Sequence, residues 1–584
     1  MNSTPLDAAS LLAIDVGEIS TRAVLFDIVN GHYRFLALGE STTTAGAPYQ
    51  DIGEGVRLAL DRLQEITGRR LVGTDERLIL PAQADGSGVD TVAATLSVGP
   101  PLKVVAVGLL EEISLESARN LARTIYVQVA ESLGLNDRRK HEERIDAILR
   151  LRPDVIIIAG GTEGGASQPV IQMIEAVGLA CYLTPGEQRP QVLYAGNQAL
   201  VEEVKSSLEK FTALHVAPNI RPTLEVEQLG PAQLQLNEIF RTIRSRQISG
   251  VRELDDWTGK HIMPTAGAFG RIIQFLSTVY DSSKGVLGID VGASATTVAA
   301  AFKGNLIQAV YSHLGLGRSL ASLLNQSQIS DITRWLPMEI NDDYVSDYLF
   351  NKSLYAASLP VTDEDLAIEQ ALARHMMHTA IHLASKQFPK NAQRAGPDLL
   401  PWFEPIVAAG SVLTRAPSPA QSLLMILDAL QPTGITTVVL DQNNLAAPLG
   451  SAAGINPMLV VQVLESSTFL NLGTVVSPIS NSRPGTPILR VRMKPASGEE
   501  ISLDVKQGTI DVLPLPLGQS TQLYLQPLHR SDVGMGGPGR GGRVRVIGGI
   551  IGVIIDGRGR PLRLPADGSR RHELFKKWLW TLGG

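Results

Sequence analysis

Hydrophobic and polar positions at the start of the chain alternate in blocks that predict a hairpin. Leu12-Ala13-Ile14 is apolar and ends in Asp15-Val16-Gly17; Glu18-Ile19-Ser20-Thr21-Arg22 is largely polar; Ala23-Val24-Leu25-Phe26 is apolar again and closes on Asp27. Two apolar runs about a short glycine-bearing turn read as paired strands. Tyr33 to Glu40 supplies a third strand and Ser41 to Gly46 a polar loop, after which Val56, Leu60 and Leu63 fall at helical spacing. The block pattern returns at Val286-Leu287-Gly288-Ile289-Asp290-Val291-Gly292-Ala293-Ser294-Ala295-Thr296-Thr297-Val298-Ala299. Two Ile-Asp-Val-Gly hairpins in one chain predict two related halves facing one another.

Further strands are expected at 102–109, 155–159, 192–195, 215–217, 406–409 and 436–440. Helices are expected from Ser114, from about Pro169 to Val177, around Ile272, Ile273, Phe275 and Leu276, and from Pro448 to Gly454. Thr362 followed by Asp363-Glu364-Asp365 is a capped helix start with acids in its first turn. That helix carries His375, His378 and His382, read as a polar face; Thr379 stands where a zinc-protease helix needs glutamate, so that chemistry is excluded. After about Pro457 the pattern becomes strict alternation at 487–493, 501–506 and 521–525, the mark of half-buried antiparallel strands. Two more strands are expected within 543–557, and Leu574, Trp578 and Leu582 stripe a terminal helix. The chain divides on these grounds into 1–262, 263–460 and 461–584. The class is α/β, with a small antiparallel β-rich C-terminal domain.

At 584 residues the chain exceeds what one core holds, since single cores rarely grow past about 250–300 residues. Its composition, 44% hydrophobic and 19% charged, is that of a protein with large buried cores. A net charge of −6 gives no case for nucleic-acid binding by the whole chain. The single cysteine, Cys181, excludes an internal disulfide, fits a reducing cytoplasm, and reads as a packed core thiol. Met1 to Ser10 shows no signal-peptide pattern, and no apolar run reaches membrane-spanning length, so no transmembrane segment is expected. The tail from Arg530 is basic. It reads either as a solvated face or as a surface for an acidic partner, nucleic acid or anionic lipid.

Three places carry candidate chemistry. In the first hairpin Gly17 lets a ligand approach the backbone, Ser20 and Thr21 offer hydroxyls, Arg22 offers charge, and Asp15 can orient a water or a hydrated magnesium ion. Asp290, Gly292, Ser294 and Thr296 repeat the set in the second hairpin. A strand ending at Ala159 runs into Gly160-Gly161-Thr162-Glu163-Gly164-Gly165, whose amides can converge on an anion or an adenosine. A ligand-free strand-to-helix turn accounts for the same residues. No Gly-Lys-Ser/Thr closes this loop, so it is not a P-loop.

The order of these motifs resembles the glutamate mutase L family of the actin-like ATPase superfamily, over about residues 10–460. The resemblance rests on Asp15-Val16-Gly17 through Asp27, on Val105 to Leu109, and on Ile158-Ala159-Gly160-Gly161-Thr162-Glu163-Gly164-Gly165. It continues through Ala195-Gly196-Asn197, Pro218-Asn219-Ile220, Met263-Pro264-Thr265, Asp290-Val291-Gly292, Ala409-Gly410-Ser411 and Leu445 to Gly450. It implies two ribonuclease-H-like domains around a nucleotide cleft. Asp15 and Asp290 would be its catalytic and metal-positioning acids, ATP and Mg2+ its cofactors, and Gly410 and Ser411 a turn against the adenosine. It also implies a chaperone-like role toward a protein partner such as a cobalamin-dependent mutase. Glu18-Ile19 follow the first Asp-x-Gly where the family has Ser-Thr, while Ala293 and Thr297 replace a glycine and an aspartate in the second turn. These departures keep a second function class open: a non-catalytic actin-like scaffold binding its partner through the C-terminal β-domain. A small-molecule kinase would need an aspartate base, for which Asp85 and Asp154 match only by type.

Overall fold

The computed structural model describes residues 10–494 and 498–584. The leader reading of Met1 to Ser10 lies, Ser10 apart, outside the described residues. Strand β1 (Leu11–Val16) is buried along its whole length, which is why its sequence is an unbroken apolar run up to Asp15. It joins β2 (Ser20–Val29), β3 (His32–Thr42) and β4 (Thr91–Leu96) in one sheet. The helix Gly53–Thr67 follows β3 and buries Val56, Leu60 and Leu63 on one face, as their spacing required.

After β4 the chain leaves this sheet and builds another. β5 (Leu102–Gly108), β6 (Val127–Leu133), β7 (Val155–Ala159), β8 (Gln191–Tyr194) and β9 (Leu214–Val216) are all parallel, in the order β6-β5-β7-β8-β9. This is a complete doubly wound sheet with its own core, in which Cys181 packs; burial pushes that thiol up to about 11. The helix Gly230–Gln247 then leads the chain back to β10 (Met263–Pro264), which lies parallel to β4. The first sheet therefore reads β10-β4-β1-β2-β3. Counted along the chain within that sheet, this is the 3-2-1-4-5 order of a ribonuclease-H-like unit.

β11 (Gly285–Val291), β12 (Thr296–Phe302), β13 (Asn305–Tyr311), β14 (Phe403–Ala409) and β15 (Gly434–Leu440) repeat the order in a second sheet. β12 and β13 run antiparallel, and β14 and β15 parallel, to β11 and to each other in turn. The fold class is thus α/β with two actin-like, ribonuclease-H-like sheets. β16 (Leu470–Ser477) continues the second sheet beyond β15. β17 (Pro487–Met493), β18 (Ile501–Lys506), β19 (Ile510–Leu513), β20 (Ser520–Pro527), β21 (Gly542–Ile547) and β22 (Gly552–Asp556) follow. Four of them form the antiparallel sheet β18-β17-β20-β21, while β22 and β19 extend the second sheet past β16. The stretch 461–584 thus shares its strands between two sheets, with a core of its own where they pack.

The described chain falls into two compact units, Ile14–Ala23 with Gly39–Gly267 in one and the remaining residues in the other. In the latter, the helix Asp363–Ser385 runs through the core, capped by Thr362 as expected. Two of its three histidines do not form a polar face. His375 is buried with Nε2 on Ser327 Oγ at 3.0 Å, and His378 Nδ1 meets the Ala429 carbonyl at 3.0 Å. The helix is wrapped on nearly all sides here, so His375 and His378 turn inward, while His382 in its last turn is exposed as expected. Beside it lies a buried ionic group, Arg374, Asp428, Asp556, Arg558 and Arg560, with Arg558 stacked 4.7 Å from the Trp578 ring of the terminal helix Gly568–Thr581.

Candidate functional site

The two Asp-Val-Gly turns have the same local build. Gly17 N donates to Ser20 O at 2.9 Å, and Gly292 N donates to Ala295 O at 2.9 Å. A Cβ at Gly17 would lie 3.1 Å from Ser20 O and one at Gly292 3.2 Å from Ala295 O, so both turns are tight against the same carbonyl. The turns are equal in length. Glu18 and Ile19 therefore substitute for Ala293 and Ser294 and insert nothing. In each, the carbonyl of the glycine is held by the segment after the third strand: Gly17 O accepts from Thr43 Oγ1 at 2.8 Å, and Gly292 O from Leu316 N at 3.1 Å.

Around the first turn the polar groups are closely committed. Asp15 is buried; its Oδ1 accepts from Thr95 Oγ1 at 2.6 Å and Thr265 Oγ1 at 3.3 Å, and its Oδ2 from Arg22 at 3.4 Å. Arg22, also buried, reaches on to Glu40 at 3.2 Å. Thr21 is buried, with its hydroxyl 2.9 Å from that of Thr43. Gly17, Glu18 and Ser20 remain half-exposed. The Glu18 carboxylate accepts from Gly99 N at 3.2 Å. Behind Gly99 lies Arg244, fully buried, whose guanidinium donates to Pro100 O and Gln247. Burial pushes Arg244 down to about 10, while the charges of Asp154 and Glu18 oppose that shift. Glu18 is thus tied to the root of the inserted sheet. Sequence reasoning missed Thr95 and Arg244, since a lone threonine or arginine on a helix or strand carries no motif, and it met Thr265 only within the Met263-Pro264-Thr265 resemblance, with no site role.

The second turn gathers Asp290, Gly292, Ser294, Thr296, Gly410 and Ser411 in one place. Asp290 pairs across β12 with Thr297 and across β14 with Ala409. The chain then passes so close over β11 that a Cβ at Gly410 would lie 2.2 Å from Val291 O, and its φ of +107° suits only glycine. Thr296 is buried, donating to Leu314 O at 2.6 Å.

The Gly160–Gly165 loop stands apart from the first turn. Asp154, at the start of β7, contacts Gln247 beside Arg244, while the loop leaves the other end of that five-residue strand. At roughly 3.3 Å per residue, the separation along β7 is about 16 Å. The loop is also stitched internally. Asn219 Nδ2 donates to Gly161 O at 3.0 Å and Glu163 Oε1 at 2.7 Å, Gly165 N to Thr162 O at 2.9 Å, and Glu163 N to Pro222 O at 3.0 Å. Two amides that an anion would need are spent, and Glu163 adds negative charge at the exposed rim.

The small-residue turns fit close approach of a ligand to backbone. The surroundings of Asp15 do not fit a divalent cation: each carboxylate oxygen has its partners, and Arg22 already supplies the local positive charge. Among the described residues no group of three or more His, Cys, Asp and Glu side chains is placed to hold a metal ion. Nor, among them, is any helix long and apolar enough to cross a membrane.

Comparison with known proteins places these features. A family model described as MutL protein matches residues 11–468. A protein named MutL from Clostridium tetanomorphum is 23% identical over 438 residues, which span 70% of this chain and 88% of that protein. Among solved structures, nucleotide-free acetone carboxylase superposes with a TM-score of 0.33 at 12% identity, covering 86% of this chain and 81% of that one. A diol dehydratase-reactivating factor in nucleotide-free form gives a TM-score of 0.30 at 10% identity, covering 76% and 99%. These structural likenesses are loose, and the repeated 3-2-1-4-5 strand order identifies the fold without them.

Proposed function

The chain belongs to the MutL, or glutamate mutase L, family, and on that footing we propose that it is an actin-like, nucleotide-binding accessory protein acting on a protein partner. The observation that carries this reading is the doubled turn: the same glycine-to-carbonyl bond of 2.9 Å closes 17–20 and 292–295. Each turn presents a half-exposed glycine and serine, Gly17 with Ser20 and Gly292 with Ser294, at the end of a buried strand, the setting in which backbone amides receive phosphates. ATP is the ligand this supports. Within its own turn, each of Ser20 and Ser294 is the hydroxyl proposed to meet a phosphate. Gly410 and Ser411, next to the second turn, would border the rest of the nucleotide. Asp290 is the carboxylate proposed to orient water. Asp15 would act through the turn, by holding Arg22, Thr95 and Thr265 in place. The family name supports a cobalamin-dependent mutase as the partner. Against the Gly160–Gly165 loop as part of the same site stands its place at the far end of β7.

A second reading has its own support. The saturated surroundings of Asp15, with Ala293 and Thr297 in the second turn, favour a non-catalytic scaffold. Mg-ATP binding and hydrolysis by the full chain separate the two, with Asp15→Asn and Asp290→Asn as controls. Saturable micromolar binding lost in both variants supports the nucleotide reading. No binding at millimolar ATP by folded protein overturns it and leaves the scaffold.

A further inference from the structure

Among the described residues, four of the five large apolar side chains at least 70% exposed, Leu354, Tyr355, Leu359 and Val361, lie in one short segment; the fifth is Trp580. Tyr344, Phe350, Leu354, Tyr355, Leu359 and Val361 are each between 45% and 88% exposed. Phe350 and Leu354 share a face of the helix Asp342–Leu354, and the others flank it or follow it in the loop that leads to Thr362. Hydrogen bonds make the strip continuous. Tyr344 Oη and Val361 N both donate to the Asp365 carboxylate, at 2.9 and 3.1 Å, so the loop returns alongside the first turn of that helix.

The strip is also held in shape. Lys352 is buried; its Nζ donates to Ser358 O in the loop and pairs with Glu369 Oε1 at 2.6 Å. Tyr348 Oη donates to the other side of the same network, at Glu369 Oε1 and 2.9 Å. A floppy loop would bury its leucines and tyrosines by collapse. This one is pinned with them outward, the arrangement of a preorganised docking surface. It leans on the second turn as well: Gly317 lies between Ala356 of the loop and the carbonyl of Ala293.

Charge says what covers it. The segment 341–365 carries six acids and a single base, Lys352. Asp342, Asp343 and Asp347 on the helix and Asp363 and Glu364 beyond the loop are exposed, while Lys352 is buried and paired. An apolar strip rimmed by carboxylates repels anionic lipid and suits a segment with apolar anchors and basic flanks. The geometry points to the docking of a basic amphipathic helix of a partner protein on this strip, its apolar face against Leu354, Tyr355, Leu359 and Val361. The inference deepens the accessory-protein reading, and rests on it only in taking the partner to be a protein.

The test uses the full chain and a labelled model peptide of about eighteen residues with Leu and Lys at helical period. A companion peptide has Glu in place of Lys. Anisotropy should show the Lys peptide binding at least about tenfold more tightly than the Glu peptide, with Leu354→Ser/Val361→Ser weakening it at least about tenfold. Asp343→Lys/Asp347→Lys should weaken it too and flatten its salt dependence. Both serine positions are exposed, so the variant's melting temperature should match the parent's. Leu234→Ser, at an exposed leucine elsewhere, should bind as the parent does. Equal binding of the two peptides, or no change in the serine variant, overturns the proposal. So does a dimer in sedimentation that the serine variant abolishes, which would assign the strip to a second copy. Binding to phosphatidylcholine–phosphatidylglycerol vesicles that the serine variant abolishes would assign it to a membrane. ATP binding is measured separately: its absence leaves a positive docking result standing, and its presence does not rescue a negative one.

Discussion

Replacing Asp428 by Asn should unsettle the molecule more than removing the arginine it faces. Asp428 is fully buried, taking Arg374 Nε at 2.8 Å on one oxygen and Arg558 Nη1 at 2.6 Å on the other. Asp556 takes Arg558 on both oxygens, at 2.9 and 3.0 Å, and Arg560 at 2.7 Å. Three guanidinium cations and two carboxylates thus share one dry volume, with one positive charge in excess. Asp428→Asn keeps the shape and doubles the excess. Neutralising one partner of a buried pair costs about 3–5 kcal/mol. Arg558→Met instead leaves Arg374 with Asp428 and Arg560 with Asp556, a charge-balanced set, and forfeits the hydrogen bonds of Arg558 to both carboxylates together with its stacking on Trp578, about 2–3 kcal/mol in all. Urea unfolding at neutral pH measures both, read as a midpoint shift at constant slope. Equal losses, a larger loss for Arg558→Met, or an Asp428→Asn within about 1 kcal/mol of the parent would refute the charge argument.

Gly410→Ala drives a Cβ into the Val291 carbonyl at a φ of +107°; it should cost about 1–3 kcal/mol in strain alone and weaken nucleotide binding. Gly164→Ala meets nothing within 4 Å and should cost less; calorimetry and ATP titration compare them. His375 is held below its ordinary pKa by burial, above all. The unfolded chain therefore binds a proton first as pH falls below about 6.5, and stability should drop with acidification from there, less so in His375→Gln; melting temperatures between neutral and mildly acidic pH check it. Glu18→Ala removes the acceptor of Gly99 N and a charge opposite Arg244 and should cost about 1–2 kcal/mol. Were Glu18 facing phosphates, the same change would tighten ATP binding with no loss of stability.

Both hairpins, the strands around them and the capped helix at Thr362 were legible because each rests on local periodicity and turn chemistry. The antiparallel strands near the C-terminus were legible from strict alternation. The independence of the inserted sheet was not. Its strands read correctly one by one, but nothing local says that β5 pairs with β6 and β7 instead of with β4. The joining of β19 and β22 to the second sheet was hidden for the same reason, since pairing between distant strands is set by tertiary burial. The site residues Thr95 and Thr265 lie 80 and 250 positions from Asp15, and no spacing rule reaches that far. His375 and His378 misled because a helix submerged in a core loses the amphipathic signature on which such readings depend.

The insert also has an engineering consequence. The chain enters it past Gly99 and Pro100 and leaves it at Gln247 and Ile248; Arg244 bonds to Pro100, and a Cβ at Gly99 would lie 2.9 Å from Ile248 Cδ1. Departure and return are side by side, so the insert is a cassette plugged in through one socket. Excising it behind a short glycine–serine bridge at that socket should leave β10 beside β4, and an unrelated domain whose own termini lie close together can be grafted there in its place.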